Sequence, residues 1–156
     1  RWGVSGDSSM LRPELVERKL QLIADDLERL AGFRDETLAS LTADDLKLAA
    51  VERLLERVVM RAIDVNEHLV SELSDAAGQT TRLSYRDTFL KLAELGVYGA
   101  DFAERIAGSA GLRNILVHDY KDVDHQILHG SIRTCLNDYR CYVEAVASFL
   151  GKTPES

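Results

Sequence analysis

The 156-residue sequence lacks several features that would place it in well-known classes of protein. It has no apolar run long enough to cross a membrane and no signal peptide, so we expect no membrane-embedded segment. Its two cysteines, Cys135 and Cys141, match no metal-binding or disulfide spacing. We interpret both as reduced thiols of the core, where free cysteine is commonly found.

An excess of basic residues is also missing. The chain has 19 Lys and Arg against 26 Asp and Glu, a formal net charge of −7. This balance argues against broad, non-specific nucleic-acid binding, which needs a positive surface, but leaves room for a local basic cleft. Several basic side chains could contact phosphates, although such groups are usually only solvated. They are Arg82, Arg86, Lys91, Arg133 and Arg140.

No strand-like alternation and no internal repeat appear, and the length suits a single domain. We expect residues 1–9 to be a disordered lead or a tag remnant, residues 10–151 to form one helical domain and residues 152–156 to form a tail. The predicted fold is all-α, an antiparallel bundle of about five helices. The predicted helices are Pro13–Leu30, Ala43–Leu73, a short helix from Ser84 to Gly96, Gly99–Tyr120 and Asp124–Leu150.

Apolar residues at alternating spacings of three and four support these helices. Gly32 is expected to end the first helix, and Ser40 or Thr42 to cap the second. Ser84, with Asp87 three residues later, resembles a capping box. The predicted core positions of the last helix are Leu128, Ile132, Cys135, Tyr139, Tyr142, Val146 and Phe149.

The run from Arg113 to Tyr120 concentrates chemistry that the rest of the chain lacks: a strong base, an amide, an imidazole and a phenol within eight residues. On an ideal helix Arg113 and His118 point about 140° apart. One helix therefore cannot easily bring both side chains to one phosphate. A helix distortion, which Gly108 and Gly111 would permit, or a second copy of the chain would have to close the gap.

The run also carries a family resemblance. Arg-Asn-Ile-Leu-Val-His-Asp-Tyr resembles the R-x4-H-x-Y signature of HEPN-domain proteins, and most closely the HepT-type toxins of bacteria. The preceding Gly-Leu, the following Lys-Asp-Val-Asp and the upstream run Ala62–His68 fit that branch. The resemblance extends roughly from Leu46 to Leu150. It implies a HEPN-like helical domain that dimerises, a cytoplasmic location and metal-independent RNA cleavage without a cofactor.

The resemblance also implies roles for the residues of the run. Arg113, Asn114 and His118 would be catalytic, in motifs paired across the homodimer interface. His118 titrates near neutrality and can exchange a proton with the 2′-hydroxyl or the leaving oxygen. Arg113 can bind the phosphate as negative charge develops. Asn114 can orient the imidazole or hydrogen-bond to the phosphate.

Tyr120 would be the regulated residue. In HepT-type toxins the matching tyrosine is adenylylated by a cognate minimal nucleotidyltransferase antitoxin of the MntA type. The added group is bulky and anionic, so it would block the cleft and neutralise its charge. By itself, Tyr120 can equally be an amphipathic residue at a helix end. The alternative function is a non-catalytic HEPN protein that binds a nucleotide or acts as an adaptor.

The remaining histidines raise a third possibility, a metal site. His125 and His129 are four residues apart on one predicted helical face, a spacing that can hold a metal ion. No second ligand pair has suitable spacing, so we predict no functional metal. We interpret His68, inside the long second helix, as a hydrogen-bonded core or interface residue that could also line the cleft.

Overall fold

The computed structural model of the chain describes residues 11–74, 82–112 and 124–152. All regular structure in these ranges is helical, which confirms the predicted all-α class. None of these helices is long and apolar enough to cross a bilayer. A further helical segment covers residues 109–112. The helices are α1 Pro13–Ala31, α2 Leu38–Thr42, α3 Asp45–Leu73, α4 Tyr85–Glu94, α5 Ala100–Ala107 and α6 His125–Lys152.

Helices α1 and α3 pack antiparallel along their length. Lys19 pairs with Asp64, while Asp26, further along α1, pairs with Arg57, which comes earlier in α3. Proline occupies the first turn of α1, where its missing N–H costs no hydrogen bond. The apolar stripe predicted for α1 is buried as expected, and Gly32 caps the helix.

The cap predicted for the second long helix is wrong. Asp44 is the N-cap of α3, and its carboxylate accepts hydrogen bonds from the backbone N–H groups of Leu46 and Lys47 at 3.0 and 3.2 Å. Ser40 and Thr42 instead belong to α2, a five-residue helix that the sequence analysis missed. There Ser40 forms a reciprocal capping box with Thr37, so neither of its bonds is available to α3.

Helix α4 begins and ends with local signals that the sequence carries. The Ser84 hydroxyl accepts a hydrogen bond from the Asp87 N–H at 3.1 Å, which confirms the predicted cap. At the other end Gly96 adopts φ 88°. Its N–H bonds to the Ala93 carbonyl, and the Val97 N–H reaches back to the Leu92 carbonyl. This is a Schellman motif, which favours glycine because the left-handed conformation is strained for other residues.

Three buried aromatic rings lie at the centre of the core. Phe89 of α4 contacts Tyr139 and Tyr142 of α6, with ring centroids 6.4 and 6.1 Å apart. The predicted core stripe of α6 is buried from Leu128 to Val146, and Phe149 is partly buried against it. Asp124 caps this helix through the N–H groups of the residues at 126 and 127.

One of the two cysteine predictions is wrong. Cys135 is buried, but Cys141 is exposed, and both are free thiols. Cys141 lies six residues beyond Cys135, which turns it about 120° away from the core stripe.

The predicted single helix from Gly99 to Tyr120 is interrupted. Helix α5 ends at Ala107, Gly108 forms a turn, and the chain becomes helical again over residues 109–112. The rest of that predicted helix lies outside the described residues. So do the predicted lead, most of the loop predicted between Asp75 and Leu83, and residues 153–156 of the tail.

Candidate active site

The four residues predicted to act, Arg113, Asn114, His118 and Tyr120, lie outside the described residues. Their roles therefore stay predictions. The described structure ends on one side at Leu112 and resumes at Asp124. In the described structure, α5 and the segment 109–112 precede this run, and α6 follows it.

Those elements enclose a groove between α5, the segment 109–112 and the first half of α6, here called the α5–α6 groove. Its volume is about 550 Å³. Leu112, which directly precedes the run, and Gln126, which follows it, both line this groove. Its lining residues are Arg105, Gly108, Ser109, Gly111, Leu112, Gln126, Ile127, Gly130, Ser131, Thr134, Cys135, Asp138 and Tyr139.

Two polar contacts cross this groove. The Arg105 Nε donates to the Asp138 carboxylate at 3.0 Å, and the Arg105 guanidinium also lies 5.1 Å from the centre of the Phe102 ring. The Ser109 Oγ lies 2.6 Å from the Tyr139 hydroxyl. Sequence reasoning placed Tyr139 in the core but did not find these partners. No local spacing signals these contacts, because they join residues 33 and 30 positions apart.

Burial keeps two of the titratable groups that line the groove, Cys135 and Tyr139, in their neutral forms. Burial raises the pKa of the Cys135 thiol to about 12, and the nearby Asp138 carboxylate adds to the shift. Burial also raises the pKa of Tyr139 well above its ordinary value. A buried thiol with so high a pKa is a poor nucleophile. The described part of the groove thus supplies shape and hydrogen bonds rather than a nucleophile.

Two of the histidines singled out in the sequence, His129 of the possible metal pair and His68 of the long second helix, have backbone hydrogen-bond partners. The His129 Nε2 lies 2.7 Å from the Glu36 backbone carbonyl, an oxygen that a ring N–H can approach as a donor. His68 is half-buried, and its ring nitrogen accepts the Arg12 N–H at 3.5 Å. Across the ranges 11–74, 82–112 and 124–152, no three His, Cys, Asp or Glu side chains cluster closely enough to hold a metal ion.

The basic side chains proposed as phosphate contacts do not converge. Arg86 pairs with Glu104 at 2.9 Å and Lys91 with Glu94 at 3.2 Å. Arg133 lies 3.5 Å from Asp35. Arg82 and Arg140 are exposed. The described surface therefore offers no single basic cleft built from this set.

Two buried polar clusters were missed by sequence reasoning. Asp26 is fully buried and accepts hydrogen bonds from Arg29, Arg57 and Arg61. It is three residues from Ile23 and four from Leu30, both buried. An aspartate within the apolar stripe of α1 was therefore the sequence signal for a buried ion cluster. This ion cluster joins α1 to α3.

The second cluster lies inside the bundle. The Tyr142 hydroxyl donates to the Asn66 side-chain oxygen at 2.6 Å, and the Asn66 amide donates to the Thr88 hydroxyl at 3.1 Å. Asn66 belongs to the Ala62–His68 run noted for its resemblance. The cluster joins α3, α4 and α6, so the observed part of that run has a structural explanation.

The fold and the groove define a small helical bundle with a concentrated polar run between its last two elements. The model of the family described as "Ribonuclease HepT-like" matches residues 15–146. The chain therefore belongs to the HepT-like ribonuclease family, which confirms the predicted resemblance.

Individual relatives agree. The chain is 31% identical to the tRNA nuclease HepT of Aphanizomenon flos-aquae over 140 residues, covering 90% of this chain and 92% of that protein. It is 25% identical to the mRNA nuclease HepT of Shewanella oneidensis over 92 residues, covering 59% and 66%. These matches confirm the prediction that the chain is an endoribonuclease.

A solved structure supports the fold. The tri-AMPylated HEPN toxin of Shewanella oneidensis, in complex with MNT antitoxin, superposes with a TM-score of 0.71. The match covers 85% of this chain and 96% of that one at 21% identity.

Proposed function

We propose that this chain is the RNA-cleaving toxin of a bacterial toxin–antitoxin pair. The observation that carries the proposal is the extent of the family match, residues 15–146, which includes the whole run from Arg113 to Tyr120. The 31% identity to a tRNA nuclease HepT over nearly the full length of both chains supports it.

The proposed chemistry is transesterification within the RNA. The 2′-hydroxyl oxygen attacks the adjacent phosphorus, the O2′–P bond forms and the P–O5′ bond breaks. The products are a 2′,3′-cyclic phosphate and a 5′-hydroxyl end. His118 accepts the 2′-hydroxyl proton, and the imidazolium formed in this way supplies a proton to O5′. Arg113 stabilises the charge on the phosphate, and Asn114 orients the imidazole or the phosphate.

We further propose that the active site is formed by two copies of the chain. Arg113 and His118 point about 140° apart on an ideal helix, so a second motif from a partner copy would supply the missing direction. Mixing Arg113→Ala with His118→Ala protein tests this arrangement. A mixed dimer would contain one intact Arg113–His118 pair, so activity should return. An isolated mixed dimer without activity would refute pairing across copies.

The substrate class we infer is a structured RNA with a short footprint. The relative with 31% identity is named as a tRNA nuclease, whereas the relative with 25% identity is named as an mRNA nuclease. Because the net charge is −7, extended backbone binding is unfavourable. Purified tRNA is therefore the first substrate to test, with an unstructured RNA of similar length as the comparison.

Regulation by an antitoxin is the last part of the proposal. The solved HEPN toxin with fold similarity is AMPylated and bound to MNT antitoxin, which supports a nucleotidyltransferase partner for this chain. We propose Tyr120 as the modified residue, because AMP there would place negative charge seven residues from Arg113 and two from His118. Mass spectrometry after co-expression with a candidate antitoxin tests this. AMP on another residue, with Tyr120 unmodified, would contradict the assignment.

The central experiment compares growth and total RNA after induced expression of the wild type, Arg113→Ala and His118→Ala. We expect arrest and RNA cleavage in the wild type, and neither in the two variants. Arg18→Ala is the matched control, because Arg18 is exposed on α1, is not among the candidate phosphate contacts and does not line the α5–α6 groove. Normal growth and intact RNA with folded wild-type protein would overturn the nuclease proposal in favour of nucleotide or adaptor binding.

A further inference from the structure

Two consecutive residues of α6 contact the chain on both sides of the turn at Gly108. Asp138 accepts a hydrogen bond from Arg105, three residues before that glycine. Tyr139 lies 2.6 Å from the Ser109 Oγ, directly after it. One turn of α6 therefore connects the end of α5 to the segment 109–112.

The direction of the Ser109–Tyr139 hydrogen bond follows from counting protons. The Ser109 hydroxyl donates its only proton to the Ile106 carbonyl at 2.7 Å. Tyr139 must then be the donor to Ser109, which requires the neutral phenol. Tyr139 is fully buried, and burial favours the neutral form. The result is a chain of hydrogen bonds from Tyr139 through Ser109 to the last turn of α5.

This contact matters because regular helical hydrogen bonding does not carry α5 through Gly108. The Gly108 N–H reaches the Arg105 carbonyl at 3.4 Å, and the Gly111 N–H reaches the Gly108 carbonyl at 3.2 Å, both over three residues. Ala110 and Leu112 are buried, which holds the segment on the core. Apolar burial is not directional, whereas the hydrogen bond from Tyr139 is a directional contact from α6 to this segment, so it can fix the segment's rotation against α6.

We propose that Tyr139 and Ser109 are positioning residues of the nuclease site: they fix the orientation in which the chain leaves residue 112 and enters the run beginning at Arg113. This inference rests on the proposed function. Neither residue takes part in proton transfer to the RNA. Each acts through the placement of Arg113, and misplacement by about 1 Å can lower a rate by about 100-fold.

The chain offers a matched control on the same helix. Tyr142 lies three residues after Tyr139, is equally buried, and also donates its hydroxyl proton inside the core. Its partners are Asn66 and the Ala62 carbonyl on α3, away from Gly108. Tyr139→Phe and Tyr142→Phe therefore each remove one buried hydroxyl while keeping the ring, but only the first breaks the contact with Ser109.

The test measures kcat, KM and the pH profile of RNA cleavage for Tyr139→Phe, Ser109→Ala, their double variant and Tyr142→Phe, at a temperature where circular dichroism shows all to be folded. We expect Tyr139→Phe and Ser109→Ala to lower kcat by about tenfold, with the pH profile unchanged. The kcat of the double variant should be no lower than that of either single variant. Tyr142→Phe should keep the wild-type kcat even if its melting temperature falls as much as that of Tyr139→Phe.

A Tyr139→Phe variant with wild-type kcat, or a Tyr142→Phe variant that loses activity in parallel, would overturn the inference. Amide hydrogen exchange of peptides covering residues 106–112 gives a readout without catalysis. Exchange should speed up in Tyr139→Phe and Ser109→Ala, and stay unchanged in Tyr142→Phe. If the wild type proves inactive on RNA, the proposed function fails, and the exchange measurement still decides whether this hydrogen bond holds the segment.

Discussion

Replacing Asp26 by asparagine should destabilise the fold strongly. The carboxylate is fully buried, and its two oxygens accept four hydrogen bonds from three guanidinium groups. An asparagine amide keeps one acceptor oxygen and turns the other position into a donor. About two charge-assisted bonds are lost, each worth roughly 1.5–3 kcal/mol. Because the Arg29, Arg57 and Arg61 side chains are 61%, 35% and 23% exposed, water recovers part of this loss.

The expected net loss is therefore about 3 kcal/mol, the lower end for breaking a buried ion pair. For a chain of this size it corresponds to a fall in melting temperature of roughly 6–12 °C. Urea unfolding followed by far-ultraviolet circular dichroism measures it. The control is Arg29→Ala, since that arginine is mostly exposed and its removal should cost less than about 1 kcal/mol. Equal losses in the two variants, or less than about 1 kcal/mol for Asp26→Asn, would refute this reasoning.

Three further outcomes can be checked with purified protein. A thiol reagent at pH 8 should modify Cys141 rapidly and Cys135 only after unfolding, because the Cys135 thiol is buried and its pKa is about 12; two fast-reacting thiols in native protein would contradict this. Gly96→Ala should lower the free energy of unfolding by about 1–2 kcal/mol, because the backbone φ of 88° is strained for alanine although nothing would clash with its Cβ. Gly130→Ala, in a helix interior, should be neutral or stabilising. Hydrogen bonding by Ser40 and the charge of Lys47 lower the pKa of Glu36 below 4.5. The stability that Glu36 adds relative to Glu36→Gln should therefore be complete above that pH and disappear as the pH falls through the lowered pKa. In a titration of unfolding stability, a difference between the two proteins that is independent of pH between 3 and 6 would refute this prediction.

The long helices could be predicted because each buries an apolar stripe that repeats over many turns. The stripe of α6 was predicted nearly residue by residue, since a period sustained over several turns is hard to mistake. Helix α2 was missed because five residues make little more than one turn and show no period. The cap of α3 was misplaced for the same reason: Ser40, Thr42 and Asp44 are all good capping residues, and only the presence of α2 decides among them.

The residues of the candidate site stay predictions from the sequence, and the contacts beside them could not be predicted. The run from Arg113 to Tyr120 was singled out by its residue types and by its resemblance to the HEPN signature. The contacts beside it join residues about 30 positions apart, such as Ser109 with Tyr139. Sequence periodicity places Tyr139 in the core but carries no information on which hydroxyl it meets. The glycine at 108 signalled that an interruption was possible, and only tertiary contacts determine the orientation that follows.

The Asp26 cluster and the contact of Tyr139 with Ser109 should therefore have separable effects. The Asp26 cluster joins α1 to α3 and touches no residue of the α5–α6 groove, so its loss should lower stability but leave kcat unchanged in the molecules that remain folded. The contact of Tyr139 with Ser109 lies in the groove itself, where α6 also receives the chain after the run that begins at Arg113. Helix α6 thus contacts Ser109, four residues before that run, and itself begins at His125, five residues after Tyr120. A change at Tyr139 should act on the rate even where its cost in stability is smaller than that of Asp26→Asn.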